Sequence, residues 1–231
     1  SRMTTQGKAK FNRNNHPFTG KVPGTKFALA HNGVLYNDMT LRRSHTLPDT
    51  RIETDSYVAV QLIEQQGALT PASLKTVAEA VEGSFVFTVL DEQDNFYFVK
   101  GDNPLCLLQF PSLGLYVYAS TEAILRMALN GLWLNREPSK KIAVDGGEIL
   151  WITPDGARLS EHFAWEDSYF SDWYFNRRGG HLCAPGISRA ERQYLRELKN
   201  IAAYLGYSGE EIDAMLADGW STDEIEEAIY G

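Results

Sequence analysis

The sequence predicts a mixed α+β fold, and two observations support this prediction. Between residue 1 and about residue 160, short segments rich in β-branched and aromatic side chains alternate with segments whose apolar residues recur at helical intervals. After about residue 186, the apolar pattern is helical throughout. A chain of 231 residues is long enough for one main domain with its own core and a smaller appendage.

The composition limits the classes of protein that the chain can be. Hydrophobic residues make up 43% of the chain and charged residues 23%, which is typical of a globular protein and not of a disordered or collagen-like one. The formal net charge of −8 disfavours a nucleic-acid or membrane partner, since nonspecific binding to either needs a cationic face. No stretch resembles a membrane span or a signal peptide, so we expect a cytoplasmic protein.

The first predicted elements are a strand and a helix. Residues 27–30 form a short apolar run that ends at His31-Asn32-Gly33, and Asn-Gly permits the positive φ angles of a tight turn. We therefore expect a strand that ends in a turn. From residue 54 to about residue 66 the apolar residues recur at helical intervals, and Thr54 or Asp55 can cap the first turn of that helix.

The following elements alternate in the same way. Thr70-Pro71 predicts the start of a second helix, because threonine is a good N-cap and proline fits the first helical position. Residues 84–100 and residues 105–119 each predict a β-hairpin. A helix over residues 120–129 follows, and residues 148–153 with the Pro-Asp-Gly turn behind them predict a last strand pair.

The sequence divides into three predicted parts, which are a domain over residues 1–160, an aromatic-rich linker over residues 161–186 and a small helical tail over residues 187–231. The linker carries too many rings to leave in water, so we expect it to pack against the main domain or a partner. Within the tail, residues 206–212 and residues 219–225 repeat the same Ser-x-x-Glu capping box. The tail either stabilises the domain, which we favour, or forms a docking surface.

No motif for a metal or nucleotide is present. The five histidines show no HxxxH spacing and no carboxylate-paired spacing. The sequence also has no GxGxxG and no GxxxxGK[ST] motif, which are the usual phosphate-binding loops. We therefore predict that the protein uses no metal and no other cofactor.

Several motifs in the first part of the chain, taken in order, resemble those of one family. The matching segments are residues 1–7 (H-x-R-x-A/S-T-x-G in the family), 15–18 (N-A-H/Q-P), 30–37 (H-N-G-x-x-x-N) and 51–56 (S/D-T/S-E-T-D-S/T). The family is the glutaminase domain of class II glutamine amidotransferases, which are N-terminal-nucleophile hydrolases. The resemblance extends to about residue 158, although residues 101–105 depart from the family's R-D-P-x-G-x-x-P-L segment.

This resemblance implies a fold and a reaction. The fold is a four-layer αββα sandwich, in which two antiparallel sheets are faced by helices. The reaction is hydrolysis of L-glutamine to glutamate and ammonia through a thioester, and the ammonia passes to an acceptor. The roughly 70 residues after Ser160 are too few for the acceptor domains that usually follow, so the resemblance implies simple glutaminase action or a separate acceptor or synthetase partner. The helical tail could dock that partner.

The resemblance also implies which residues hold the substrate. Arg2 would bind the α-carboxylate of glutamine, since a guanidinium group offers paired donors for a carboxylate. Asp55 would bind the α-ammonium group. The Thr5 hydroxyl and the backbone near His31 would make further contacts with the substrate.

Two further residues are implied in catalysis. When a thiolate attacks the side-chain amide, negative charge develops on the former carbonyl oxygen and needs hydrogen-bond donors. The resemblance implies that the Asn32 side-chain N–H and the Gly33 backbone N–H form this oxyanion hole. We expect a glycine at position 33 because a side chain there would obstruct the approach of the substrate to the backbone.

The family's nucleophile, a cysteine at the mature N-terminus, has no counterpart in these 231 residues. Cys106 lies in a predicted apolar strand and Cys183 in a loop beyond the domain, so neither fits that role. We expect that the cysteine lies upstream of Ser1, because a domain without its first strands would expose an unpaired sheet edge. The alternatives are an inactive glutamine-binding or interaction module, and Ser1 acting as nucleophile beside Arg2.

Overall fold

The computed structural model describes residues 10–165 and 207–217, together with residues 199, 202, 220, 225 and 228. The chain divides into two compact units, Ser1–Glu166 and Asp167–Gly231. All but the first five residues of the predicted linker lie outside the described residues, so the three-part division stays a prediction. Among the described residues, no helix combines the length and the apolar character needed to cross a bilayer.

The described part of the first unit contains nine strands and four α-helices. The strands are Phe18–Val22 (β1), Thr25–Leu35 (β2), Gly83–Asp91 (β3), Phe96–Lys100 (β4), Cys106–Phe110 (β5), Leu115–Ala119 (β6), Lys140–Ile142 (β7), Glu148–Ile152 (β8) and Arg158–His162 (β9). The helices are Asp38–Ser44 (α1), Tyr57–Gln66 (α2), Pro71–Ala80 (α3) and Glu122–Leu129 (α4). Three short 3₁₀ helices, Asn12–Asn14, Pro111–Leu113 and Trp133–Arg136, complete the elements.

The strands form two antiparallel sheets. The larger sheet has six strands in the order β1-β2-β3-β4-β8-β9, and the smaller sheet has three in the order β6-β5-β7. Every strand pair among the described residues is antiparallel, as the predicted hairpins require. The two hairpins predicted over residues 84–100 and 105–119 are confirmed as β3–β4 and β5–β6.

Alternation along the strands shows how the layers stack. In β4, Tyr97 and Val99 belong to the core that the larger sheet shares with α1, α2 and α3. Phe98, between them, belongs to a second core with Leu107 of the smaller sheet. A third core joins the opposite face of β5, including Leu108, to α4. Because successive side chains of a strand face opposite sides, these cores give the order helices, sheet, sheet, helix. The predicted αββα sandwich is confirmed.

The predicted helix starts are confirmed at two positions. The Thr70 side chain accepts a hydrogen bond from the Ser73 backbone N–H, and the Ser73 hydroxyl oxygen accepts one from the Thr70 backbone N–H, which forms a capping box at α3. Thr121 accepts a hydrogen bond from the Ile124 N–H and caps α4. Both caps satisfy backbone donors that a helix start otherwise leaves unpaired.

The prediction of a turn at His31-Asn32-Gly33 is wrong. These residues lie inside β2, whose register with β3 continues from Phe27↔Asp91 to Leu35↔Gly83. Gly33 does have a positive φ of 139°, as an Asn-Gly pair permits, but the pairing with β3 holds the chain extended beyond it. The ladder of β3 therefore overrides the local turn preference.

The predicted cap of α2 is also wrong. The helix begins at Tyr57, and its N-cap, Ser56, makes no side-chain capping bond. Asp55 does not cap the helix because its carboxylate accepts a hydrogen bond from the backbone N–H of Leu35. The Thr54 hydroxyl is buried, with no hydrogen-bond partner among the residues that the structure describes. The start of α2 is thus tied to the end of β2.

In the second unit, the helix whose bounds the structure describes is Gly209–Ala217 (α5). The Ser208 hydroxyl accepts a hydrogen bond from the Glu211 N–H, and the Glu211 carboxylate accepts one from the Ser208 N–H, so the first of the two predicted capping boxes is confirmed. Ile212 is buried with Ala202 and Ile225. The serine and glutamate of the second box, Ser221 and Glu224, lie outside the described residues, so that box stays a prediction.

Candidate active site

A buried aspartate lies where β2 ends and α2 begins. Asp55 is 2% exposed, and one of its carboxylate oxygens accepts a hydrogen bond from the Leu35 backbone N–H at 2.8 Å. The other oxygen accepts one from the Ser56 hydroxyl at 3.4 Å. A buried carboxylate needs such donors, because burial without them is costly. These bonds fix the position of the Asp55 carboxylate relative to the end of β2.

His31 connects the same two elements. Its Nδ1 lies 2.8 Å from the Ser56 hydroxyl oxygen, and its Nε2 lies 3.4 Å from the Ser84 carbonyl oxygen. The Ser56 hydroxyl has one proton, which it donates to Asp55, so His31 Nδ1 carries a proton and donates it to the Ser56 oxygen. His31, Ser56 and Asp55 therefore form a chain of polar groups from β2 to the start of α2.

The motif over residues 15–18 lies beside this chain of groups. The His16 ring packs edge-on against Phe18 at 4.8 Å between centroids and lies 6.5 Å from the His31 ring. Phe18 in turn contacts Tyr57 at 5.7 Å. Burial raises the pKa of the Tyr57 hydroxyl above its ordinary value, so this group is neutral at physiological pH. The motif thus supplies one wall of the site.

Asn32 and Gly33 directly follow His31 and lie near the end of β2. The Asn32 side chain is exposed, whereas the backbone of Gly33 lies against β3. A Cβ atom at position 33 would overlap the Ser84 carbonyl oxygen and lie 2.6 Å from Asn103 Nδ2. Contact with β3 and Asn103 therefore already requires a glycine here, independently of any approach by a substrate.

Asn103 is a residue of this site that the sequence analysis did not identify. Its Nδ2 donates a hydrogen bond to the Asn32 carbonyl oxygen at 2.6 Å, and its side chain is buried, with the residue 6% exposed. Asn103 lies in the segment that departs from the family's pattern. Because 71 positions separate it from Asn32 in sequence, no local signal could have paired the two residues.

The loop before α2 is fastened to the chain that precedes β1. Asn14 is fully buried, and its side chain exchanges two hydrogen bonds with Glu53: Nδ2 donates to the carboxylate at 3.0 Å, and Oδ1 accepts from the Glu53 backbone N–H at 3.1 Å. Arg13 donates to the Arg51 carbonyl oxygen at 2.8 Å. These bonds hold the chain in place on the N-terminal side of Asp55.

The remaining predicted residues fall into two groups. Arg2 and Thr5, the predicted contacts for the substrate's carboxylate end, lie outside the described residues, as does Cys183. Cys106 is 2% exposed in β5 and belongs to the core with α4. The prediction that Cys106 lies in an apolar strand is confirmed, and the thiol is buried there.

The fold and these motifs define a class of protein. The four-layer sandwich of antiparallel sheets, with His-Asn-Gly near the end of one strand and a buried aspartate beside it, agrees with the resemblance to the class II glutamine amidotransferases. The sequence profile described as "Glutamine amidotransferase domain" matches residues 2–126, which is more than half of the chain. The chain therefore belongs to this family.

Curated relatives agree with this family. Glutamine–fructose-6-phosphate aminotransferase of Lactococcus lactis is 27% identical over 169 residues, which cover 70% of this chain and 26% of that protein. Amidophosphoribosyltransferase of Methanothermobacter thermautotrophicus is 27% identical over 179 residues, covering 74% of this chain and 37% of that protein. The chain therefore spans 26% to 37% of the length of these relatives.

A solved structure supports the fold. The glutamine phosphoribosylpyrophosphate amidotransferase from B. subtilis superimposes with a TM-score of 0.55 at 23% sequence identity. The match covers 68% of this chain and 33% of that one. At this level of identity the likeness concerns the fold, and it agrees with the antiparallel αββα arrangement described above.

Proposed function

We propose that this domain binds L-glutamine and hydrolyses its side-chain amide to release ammonia. The observation that carries the proposal is the Asp55 carboxylate, which is buried and held by Leu35 and Ser56 directly beside the His31-Asn32-Gly33 segment. A fixed, buried anion is the natural partner of an α-ammonium group. Because the chain belongs to the glutamine amidotransferase family, we take glutamine to be the amino acid whose α-ammonium group binds there.

Asp55 binds the α-ammonium group in this proposal. Its charge attracts an ammonium group strongly, because the low dielectric of a buried site screens the attraction weakly. The hydrogen bonds from Leu35 and Ser56 keep the carboxylate in place before the substrate arrives, so little ordering is needed on binding. Arg2 binds the α-carboxylate of the same substrate, and Thr5 together with the backbone at His31 completes the contacts.

Asn32 and Gly33 stabilise the developing oxyanion in this proposal. The exposed Asn32 side chain can turn its amide N–H toward a bound substrate, while the backbone of Gly33 is held against β3. Such donors lower the barrier because they are already in place when charge develops on the amide oxygen. The glycine lets this backbone lie close to Ser84 and Asn103.

The nucleophile in this proposal is a cysteine that precedes Ser1 in the native product. Its thiolate attacks the amide carbon, and the carbon–nitrogen bond of the tetrahedral intermediate breaks so that ammonia leaves with an added proton. Water then attacks the thioester, releasing glutamate and restoring the thiol. The α-amine of that cysteine serves as the base through a water molecule.

The ammonia passes to an acceptor in this proposal. The relatives named above are roughly three to four times as long as the matched region, which supports an acceptor unit beyond it. That unit belongs to the same product or to a partner protein, for which the helical tail is the proposed docking surface. The identity of the acceptor does not affect the chemistry at Asp55.

The test uses the native gene product, purified with its own N-terminus defined by intact mass. Ammonia and glutamate should appear in equal amounts when L-glutamine is added, and Asn32→Ala should reduce the rate about 10²- to 10³-fold. Melting temperature measured with and without glutamine gives a second readout. A shift in melting temperature without ammonia would replace the proposal with the alternative, a catalytically inactive glutamine-binding module.

A further inference from the structure

We propose that Asn103 is a positioning residue that aims the Gly33 backbone N–H of the oxyanion hole. The inference rests on the proposed function and adds a residue to it. It starts from one contact: Asn103 Nδ2 donates a hydrogen bond to the Asn32 carbonyl oxygen at 2.6 Å. Asn103 is only 6% exposed, so water competes little for this hydrogen bond.

The geometry of a peptide group converts this contact into an orientation. The Asn32 carbonyl and the Gly33 N–H belong to one planar unit and point in opposite directions when the peptide bond is trans. Within the described residues the only cis peptide bond is His16–Pro17, so the Asn32–Gly33 bond is trans. Holding the Asn32 oxygen on one side therefore holds the Gly33 N–H on the other.

The pairing of the strands directs the Gly33 N–H away from β3. Phe85, the register partner of Gly33, accepts a hydrogen bond from the Gly101 N–H and donates its own N–H to the Asp102 carboxylate. Both backbone groups of Phe85 are thus directed toward β4, and the Gly33–Phe85 pair is one without mutual backbone bonds. The Gly33 N–H is left facing the opposite edge of β2, and the register with β1 ends at Phe18↔Leu29.

The segment that carries Asn103 is itself anchored. Gly101 and Asp102 bind the two backbone groups of Phe85, at 2.9 Å and 3.2 Å, so the chain leaving β4 is tied to the start of β3. A Cβ atom at Gly101 would lie 2.9 Å from the Phe85 carbonyl oxygen, which explains the glycine. Asn103 follows directly and projects from a fixed backbone.

A donor on the Asn32 oxygen also affects the strength of the Gly33 N–H. Hydrogen bonds in a chain polarise one another, so donation to the carbonyl makes the N–H of the same peptide unit a better donor. Asn103 thus acts on the transition state through the peptide and does not touch the substrate. Its loss should lower kcat, while the contacts that bind the amino acid end of glutamine remain.

The experiment compares two substitutions in the native gene product. Asn103→Asp keeps the shape of the side chain and replaces the Nδ2 donor with an oxygen, and Asn103→Ala removes the donor without adding charge. We expect each to lower kcat for ammonia release at least about tenfold, with KM for glutamine within about threefold of wild type. If Asn103→Asp does not fold, Asn103→Ala alone supplies the result.

The matched control is Asn95→Ala. Asn95 also donates a side-chain amide bond, to Asp91 at 3.0 Å, but it lies in the β3–β4 turn at the far end of β3. Its substitution should lower the melting temperature without changing kcat. A kcat within twofold of wild type in both Asn103 variants, or an equal loss in Asn95→Ala, would overturn the role of Asn103. Wild-type protein that releases no ammonia would instead overturn the proposed function, and the inference with it.

Discussion

The backbone N–H of Leu35 donates a 2.8 Å hydrogen bond to the carboxylate of Asp55, twenty positions further along the chain. This bond joins the last residue of β2 to the residue that precedes the first turn of α2. It also explains why Asp55 does not cap that helix, because the carboxylate faces the strand. A residue that reads as a helix cap in the sequence is instead a buried anion.

The first prediction separates the charge of Asp55 from its hydrogen bond. Asp55→Asn keeps an oxygen that can accept from Leu35 but removes the negative charge, so the fold should remain while the α-ammonium group loses its partner. We expect KM for glutamine to rise roughly 10- to 100-fold, as the loss of a charged hydrogen bond predicts, with melting temperature nearly unchanged. Steady-state ammonia release and thermal unfolding measure the two effects.

Asp55→Ala is the companion variant. It leaves the Leu35 N–H buried without a partner, which should cost about 1–3 kcal/mol of unfolding free energy in addition to the rise in KM. An unchanged KM in Asp55→Asn would remove Asp55 from the proposed substrate site. Equal stability losses in the two variants would show that the charge itself, and not the acceptor oxygen, holds the end of β2.

The second prediction concerns Gly33, where the cost of a side chain has two parts. Gly33→Ala places an L-residue at a φ of 139° and drives its Cβ into the Ser84 carbonyl oxygen. Gly24 also has a positive φ, at 91°, but nothing lies within 4 Å of an added Cβ there. Gly24→Ala should therefore cost only the conformational strain, about 1–2 kcal/mol.

Urea unfolding of both variants measures the difference. Gly33→Ala should lose clearly more stability than Gly24→Ala, because the β3 backbone has to move to relieve the overlap. Gly33→Ala should also lower kcat, since the movement displaces the proposed oxyanion donor. If the two alanine variants were equally stable, the close approach of β3 to Gly33 would not be the reason for the glycine.

The sequence predicted the fold well where local patterns are strong. The β3–β4 and β5–β6 hairpins, α3 and α4 are dense in β-branched or helically spaced residues and carry clear turns or caps. It missed β1, α1 and β7. β7 has only three residues, two of them lysines, and forms because β5 offers it an edge. Pairing with a strand that is distant in sequence stabilises β7, whose own residues have a weak preference for a strand.

The site was predicted less completely, for a related reason. The motifs point to His31, Asn32, Gly33 and Asp55, which the structure brings together at the end of β2. They do not reveal that Asn32-Gly33 continues a strand, because that depends on the register with β3, more than 50 positions away. The contact between Asn103 and Asn32 is equally nonlocal. Asn103 also lies in the segment that departs from the family's pattern.

The third prediction is a pH dependence of stability at α4. Glu122 accepts a 2.6 Å bond from Lys141 of β7 and a 3.1 Å bond from Arg126. The hydrogen bond from Lys141, reinforced by the bond from Arg126, lowers the pKa of the Glu122 carboxyl below its ordinary value. A lowered folded-state pKa means stability that is present above the unfolded pKa and lost as the pH falls through the folded one.

Glu122→Gln should therefore be less stable than wild type at neutral pH and converge on it in acid. Because these side chains are substantially exposed, solvent screens the pair and the difference at pH 7 should be about 0.2–1 kcal/mol. Urea unfolding at pH 7 and below pH ~4 measures it. A difference that stays constant over this range would contradict the assignment to the Glu122 charge.

The fourth prediction concerns Ser56, which contacts both His31 and Asp55. Ser56→Ala removes the hydroxyl that lies 2.8 Å from His31 Nδ1 and 3.4 Å from the Asp55 carboxylate. The Asp55 carboxylate keeps its bond from Leu35 but loses one of its two fixing contacts. We expect KM for glutamine to rise a few-fold with kcat nearly unchanged, since a neutral hydrogen bond contributes about 0.5–1.5 kcal/mol.

A serine outside the site gives the control for this substitution. The Ser44 hydroxyl donates a hydrogen bond to the Leu41 carbonyl oxygen within α1 at 3.4 Å. Ser44→Ala therefore also removes one hydrogen-bonded hydroxyl, but it leaves His31 and Asp55 untouched. Both variants should lose little stability, and only Ser56→Ala should change KM. A fall in kcat with KM unchanged would instead show that Ser56 acts on the reaction through His31 and does not affect substrate binding by Asp55.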